Sequence, residues 1–163
     1  MGNISEYDMY LFVDGARLGY GLGSEKNDVA LEDLAALTDV FYFGGTKCGA
    51  LFGEAVVITA DALKKRFKAY MKQNGAVLAK GWLLGLQFHC LLEHDLYFTA
   101  TRRADALAMK LREVFAEQGI PFWVESFTNQ QFVILSDVQK ETLEKRYIFE
   151  PMGKSADGGN IAR

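Results

Sequence analysis

The sequence predicts an α/β fold, on the strength of its hydrophobic runs. Short, continuously apolar and β-prone segments occur at Tyr10–Val13, Val40–Phe43 and Ala55–Thr59, the first ending at Asp14-Gly15 and the second at Gly44-Gly45. A segment with Val29, Leu31, Leu34 and Leu37 at helical spacing separates the first two, with Asp28 placed to cap it. Strand, helix and strand in this order describe a sheet with a crossover helix, and the Tyr10–Val13 run suits a parallel strand buried on both faces. Between Asp14 and Asp28, Gly15, Gly19, Gly21 and Gly23 predict a loop.

Beyond Asp61 the apolar period changes to that of a helix. Leu63, Phe67, Tyr70 and Met71 share one face and Lys64, Lys65, Lys68 and Lys72 a solvated one, so an amphipathic helix is expected up to Asn74-Gly75. Ala76–Leu92 is apolar nearly all round and predicts a helix buried at an interface. A further helix, Thr101–Gln118, has Gly119 in position for a left-handed cap and Pro121 just beyond. Strands are expected at PFWVE (121–125), QFVIL (131–135) and YIFE (147–150), with a helix over Asp137–Lys145, a small polar loop from Gly153 to Gly159, and a final strand starting at NIAR.

Composition narrows the function classes. Half of the 163 residues are hydrophobic, 13% are aromatic and the net charge is -3, a globular balance without a basic face for nucleic acid or an anionic bilayer. The apolar runs fall far short of a membrane span, and with no leader visible a cytoplasmic location is the expectation. Cys48 and Cys90 match neither a zinc spacing nor a disulfide framework, His89 and His94 are five apart, and Gly19-x-Gly21-x-Gly23 is not the dinucleotide spacing. No metal is expected.

Two residues carry chemistry. Asp14 ends a strand where open α/β sheets place ligands, and serves there either as a turn cap or as the partner of a cationic group. Arg17 either pairs with Asp14, faces an anionic ligand or lies on the surface. Lys47 follows the second strand among Gly44, Gly45 and Gly49, either an exposed loop lysine or one desolvated into a nucleophilic amine that condenses with an aldehyde. An Asp and a Lys at neighbouring strand ends are two of the contacts a pyridoxal-phosphate site needs.

DGARLGYGL and FYFGGTKCGALFGEAVVI resemble the cofactor-binding segments of the threonine aldolase and β-eliminating lyase family, and the similarity continues through KQNGAVLAKGWLLGLQF into SFTNQQFVIL. The resemblance implies part of an aspartate-aminotransferase-like fold: residues 1–75 ending the large cofactor domain, 76–118 as connecting and interface helices, and 119–163 as part of a small α+β domain. It implies pyridoxal 5'-phosphate as cofactor, Lys47 as its Schiff-base lysine, Asp14 against the pyridine nitrogen, Arg17 near the ring and Thr46 in the same loop. Arg163 matches the arginine that holds the substrate carboxylate. The implied reaction cleaves a β-hydroxy amino acid to glycine and an aldehyde, or eliminates a β-substituent. An aminotransferase and a non-catalytic association module are the alternatives. Only Met1–Met9 precede the DGAR strand, so the phosphate-binding N-terminal half is expected to be missing, and a homo-oligomer or a companion chain is expected to complete the site.

Overall fold

The structure is a computed structural model and describes residues 7–163. They divide into two compact units: Met1–Gly23, so far as described, with Asn27–Thr101, and Ser24–Lys26 with Arg102–Arg163. Among the described residues no helix is long and apolar enough to cross a membrane.

The first unit is built on a three-stranded sheet in the order β1-β2-β3. Strand β1 (Phe12–Val13) leads through α1 (Leu18–Gly23) and α2 (Leu31–Leu37) to β2 (Val40–Gly44), which lies parallel to it in the register Phe12↔Val40 and Val13↔Phe41. Strand β3 (Glu54–Ile58) returns antiparallel, from Val40↔Ile58 to Gly44↔Glu54. Alternation along β2 turns Phe41 and Phe43 into the core, 2% and 8% exposed. There Phe43 meets the rings of Phe88 and Tyr97 edge-on, at centroid distances of 5.5 and 5.8 Å. Phe88 lies on α5 (Trp82–Glu93) and Tyr97 on α6 (Leu96–Glu117), which begins five residues earlier than the expected Thr101.

Several expectations for this unit need correction. Only Phe12 and Val13 of the first run pair, and Tyr10 and Phe12 are 58% and 57% exposed, because no described element packs over that face of β1, an edge of the described sheet. The glycine-rich stretch expected as a loop contains α1. A Cβ on Gly19 would come within 2.9 Å of Tyr97 and Thr101, so tertiary packing there selects glycine inside a helix despite its low propensity. Asp28 is not the cap of α2; Ala30 is, and Asp33 accepts its N–H at 2.8 Å. The single amphipathic helix is two, α3 (Asp61–Lys64) and α4 (Phe67–Gln73), broken at Arg66 with φ of +64°. Residues 76–81 precede α5 outside any helix, and of α5 only Phe88 is buried.

The end of β1 and the end of β2 are pressed together. The Gly44 N–H donates to the Gly15 carbonyl at 2.9 Å. A Cβ on Gly15 would stand 1.7 Å from the Tyr42 carbonyl oxygen, and one on Gly44 2.5 Å from that of Ala16. Neither obstacle is a flexible side chain, so no other residue fits without moving backbone.

In the second unit the sheet order is β4-β6-β5, antiparallel throughout, with β4 (Val133–Leu135), β5 (Pro151–Lys154) and β6 (Asn160–Ala162). Of PFWVE only Phe122 bridges to β4, at Val133. YIFE is not a strand: α7 (Asp137–Leu143), capped by Ser136, is followed by a turn in which Tyr147 N–H still bonds the Leu143 carbonyl at 2.9 Å, and backbone pairing with the last strand begins only at Glu150, just ahead of β5. Gly153 and Lys154 therefore belong to β5 instead of the expected loop. The sequence-predicted cap of α6 is present, Gly119 having φ of +68°. Ile120, Val133, Leu135 and Ala162 form the core. Asp105, on α6 and 4% exposed, has both carboxyl oxygens buried without a hydrogen-bond partner of good geometry; burial pushes its carboxyl up to about 6, against the pull of the nearby Asn129 N–H.

Two outcomes follow from this packing. Gly15→Ala is expected to cost at least about 3 kcal/mol of stability, whereas Gly21→Ala, with nothing within 4 Å of its Cβ, should gain up to about 1 kcal/mol; equal urea midpoints for the two variants would contradict the close-contact account. For Asp105, the folded chain keeps a proton that an unfolded carboxyl releases near 3.8, so its contribution is full below that value and lost as pH rises through about 6. Asp105→Asn should remove that slope and raise stability at pH 8 by on the order of 1–3 kcal/mol; thermal midpoints measured across this range would keep the wild-type slope if the burial account were wrong.

Candidate active site

The strand ends fixed by the Gly15–Gly44 contact present Asp14 and Lys47. One residue beyond the Val13↔Phe41 pair, Asp14 lies beside Tyr42. Its Oδ1 accepts the Tyr42 phenol and the Ala16 N–H, the latter at 3.1 Å, while Oδ2 takes no donor among the described residues. The Tyr42 hydroxyl first and then the Ala16 N–H hold the exposed Asp14 carboxyl below its ordinary range; burial opposes them, and the charge of Lys47 adds the least. The same hydrogen bond pushes the Tyr42 phenol up to about 12.

Lys47 sits on a turn closed on one carbonyl. The Cys48 and Ala50 N–H groups both donate to Gly45 O, at 2.8 and 2.9 Å, and Gly49 takes φ of +113°. Around it, Gly45 N–H bonds Gly53 O at 3.2 Å, and Gln87 of α5 accepts the Leu51 N–H at 2.7 Å while its amide donates to Phe52 O at 3.2 Å. Tyr97 donates to the Gly44 carbonyl at 2.9 Å, and Tyr20 of α1 to the carbonyl of Lys47 itself. The turn sends Cys48 into the core, where burial pushes its thiol up, and leaves Thr46 and Lys47 exposed. Of the two readings of Lys47, this chain shows the exposed loop lysine: the turn that buries Cys48 faces its neighbours outward, where no described residue covers them. Arg17, half-buried at the start of α1, is near enough for its charge to oppose the burial effect on the Cys48 thiol.

Asp14, Arg17, Thr46 and Lys47 thus all belong to the first unit, and Arg163 to the second. Arg163 follows β6 at the rim of an apolar-walled cavity of about 520 Å³, where Leu111, Phe115 and Phe149 are among the walls. It pairs with the Glu150 carboxylate, and the two backbones exchange hydrogen bonds of 2.9 and 3.1 Å. His89 and His94 are exposed beside Glu93, at 3.4 and 3.9 Å, and no group of three metal-ligating side chains occurs among the described residues. Tyr42, Tyr20 and Gln87 escaped the reading of the sequence. For Tyr42 a signal was present: in VFYFG it alternates with the two core phenylalanines and so leaves the core beside the strand end.

Asp14 Oδ2, which takes no donor among the described residues, and the exposed Lys47 on the next loop are close enough for the lysine's charge to bear on the carboxylate, a chemistry that suits a cationic ring and an aldehyde.

No family model matches the chain. Over 142 residues it is 29% identical to a low specificity L-threonine aldolase of Pseudomonas aeruginosa, an alignment covering 86% of this chain and 41% of that protein. The solved structure of Leishmania major threonine aldolase superposes with a TM-score of 0.92 at 40% identity, covering 98% of this chain and 46% of that one. The chain spans less than half the length of either relative. The chain is similar to the threonine aldolases and shares the fold of the corresponding part of the Leishmania major protein.

Proposed function

We propose that this chain carries the lysine-bearing part of a pyridoxal-phosphate-dependent lyase of the threonine aldolase type, acting on a small β-hydroxy amino acid. The observation that carries the reading is that a half-satisfied Asp14 carboxylate and Lys47 stand at neighbouring strand ends whose glycines admit no side chain. Bound pyridoxal phosphate supplies an electron sink for the carbanion left when a bond to Cα breaks. Asp14 Oδ2 accepts the proton-bearing ring nitrogen. Lys47 would hold the cofactor at its aldehyde, and its amine would be the group placed to take up and return protons as a general base and acid. Arg17 and Thr46 line the same strand ends. The role of Arg163 toward a substrate carboxylate rests on the resemblance alone; such a carboxylate would compete with Glu150 for the guanidinium.

A second reading, an association module, is favoured by a different observation. Trp82, Leu83 and Leu86 of α5 stand 64%, 42% and 47% exposed, an apolar face suited to a second copy or to a companion chain that completes the site. A cytoplasmic address fits Cys48 and Cys90, both free thiols.

The two readings separate spectroscopically. Titrating the chain with pyridoxal phosphate should produce a saturable visible band that is absent in Lys47→Ala, and the same substitution should lower release of glycine and aldehyde by roughly 10²–10⁴-fold. No band in folded wild type would favour the association module, and keto-acid formation would favour an aminotransferase.

A further inference from the structure

The alternation of β2 buries Phe41 and Phe43 and leaves Tyr42 half-buried on the opposite side. Its ring is held by the strand: Tyr42 pairs in register with Val56 of β3, and the ring of Phe12 lies 6.0 Å away at a tilt of 38°. The phenol is therefore delivered to Asp14 by sheet geometry. Only one oxygen is served. Oδ1 receives both the phenol and the Ala16 N–H, which restrains the carboxylate and leaves Oδ2 without a donor among the described residues.

We propose that Tyr42 is a positioning residue that orients the Asp14 carboxylate and weakens it as a base, so that Oδ2 alone is offered to a cationic ring nitrogen. The proposal rests on the lyase reading for the identity of that ring, but the contact itself does not. A phenol donating to a carboxylate stabilises the anion, and the partner of a weakened base loses its proton more readily. Tyr42 would thus set both the aim of the ring's anionic partner and how firmly the ring nitrogen keeps its proton.

Tyr42→Phe removes one oxygen and keeps the ring in its packing, so a folded variant is expected. In the chain without cofactor, carbon-detected NMR titration of the Asp14 carboxyl should move up toward the ordinary 3.8 in Tyr42→Phe, and the Tyr42 phenol should titrate lower in Asp14→Asn. A side chain that only packs would move neither. With pyridoxal phosphate, Tyr42→Phe should bind roughly three- to tenfold more weakly, and the pH at which the bound cofactor's visible absorption changes should shift upward. An Asp14 titration unmoved by Tyr42→Phe overturns the proposal, and so does unaltered cofactor affinity with an unaltered absorption profile. Failure of wild type to bind pyridoxal phosphate would defeat the lyase reading, leaving the NMR titration to decide the role of Tyr42 toward Asp14.

Discussion

The backbone contact between Gly15 and Gly44 is the constraint on which the site depends. Asp14 and Lys47 come from strand ends separated by a crossover, and nothing in their own side chains brings them together. What does so is that two peptide units approach closely enough for the Gly44 N–H to reach the Gly15 carbonyl. The residues that surround this contact are mostly apolar or aromatic: Phe43, Phe88 and Tyr97 pack behind it, and Tyr97 spends its hydroxyl on the Gly44 carbonyl. Core and site are continuous here. A buried aromatic cluster supplies the rigidity, and the exposed polar groups inherit it.

Three tyrosines divide that task. Tyr97 ties down the strand end from the inside, Tyr20 reaches from α1 to the carbonyl of Lys47, and Tyr42 meets Asp14 from the outer face of the sheet. Each uses an apolar ring to find its place and one hydroxyl to act. The first two fasten backbone and leave the lysine's amine alone. The third touches the chemically relevant carboxylate directly, which is why its loss can be felt electronically while the fold remains.

Sequence patterns carried the central hairpin well. Val40–Phe43 and Ala55–Thr59 read correctly as strands because their apolar runs are bounded by glycine and polar residues, and the turn between them was marked by its glycines. Patterns failed where a neighbour decides. The glycines of α1 look like a loop until Tyr97 and Thr101, some eighty residues on, are seen to leave no room for a side chain at Gly19. The turn after α7 delays the last strands because a hydrogen bond from Tyr147 to Leu143 extends the helical path. Lys47 was legible as a residue and as a position, but its exposure follows from what covers the turn, a property no local window contains. Family resemblance located Asp14, Arg17 and Lys47 together; it did not disclose Tyr42, which is visible only through register.

The glycines at the strand ends also shape how such a site changes over generations. At positions 15 and 44 a new side chain would strike backbone, and at 45 it would meet Ala50, Gly53 and Phe88, so drift is blocked along the path that sets the separation of acid and amine. Arg17, Tyr42 and Thr46, half-buried or exposed beside these glycines, are not under the same backbone constraint. A scaffold of this kind can change the side chains around Asp14 and Lys47 one residue at a time while the spacing of the two strand ends stays fixed.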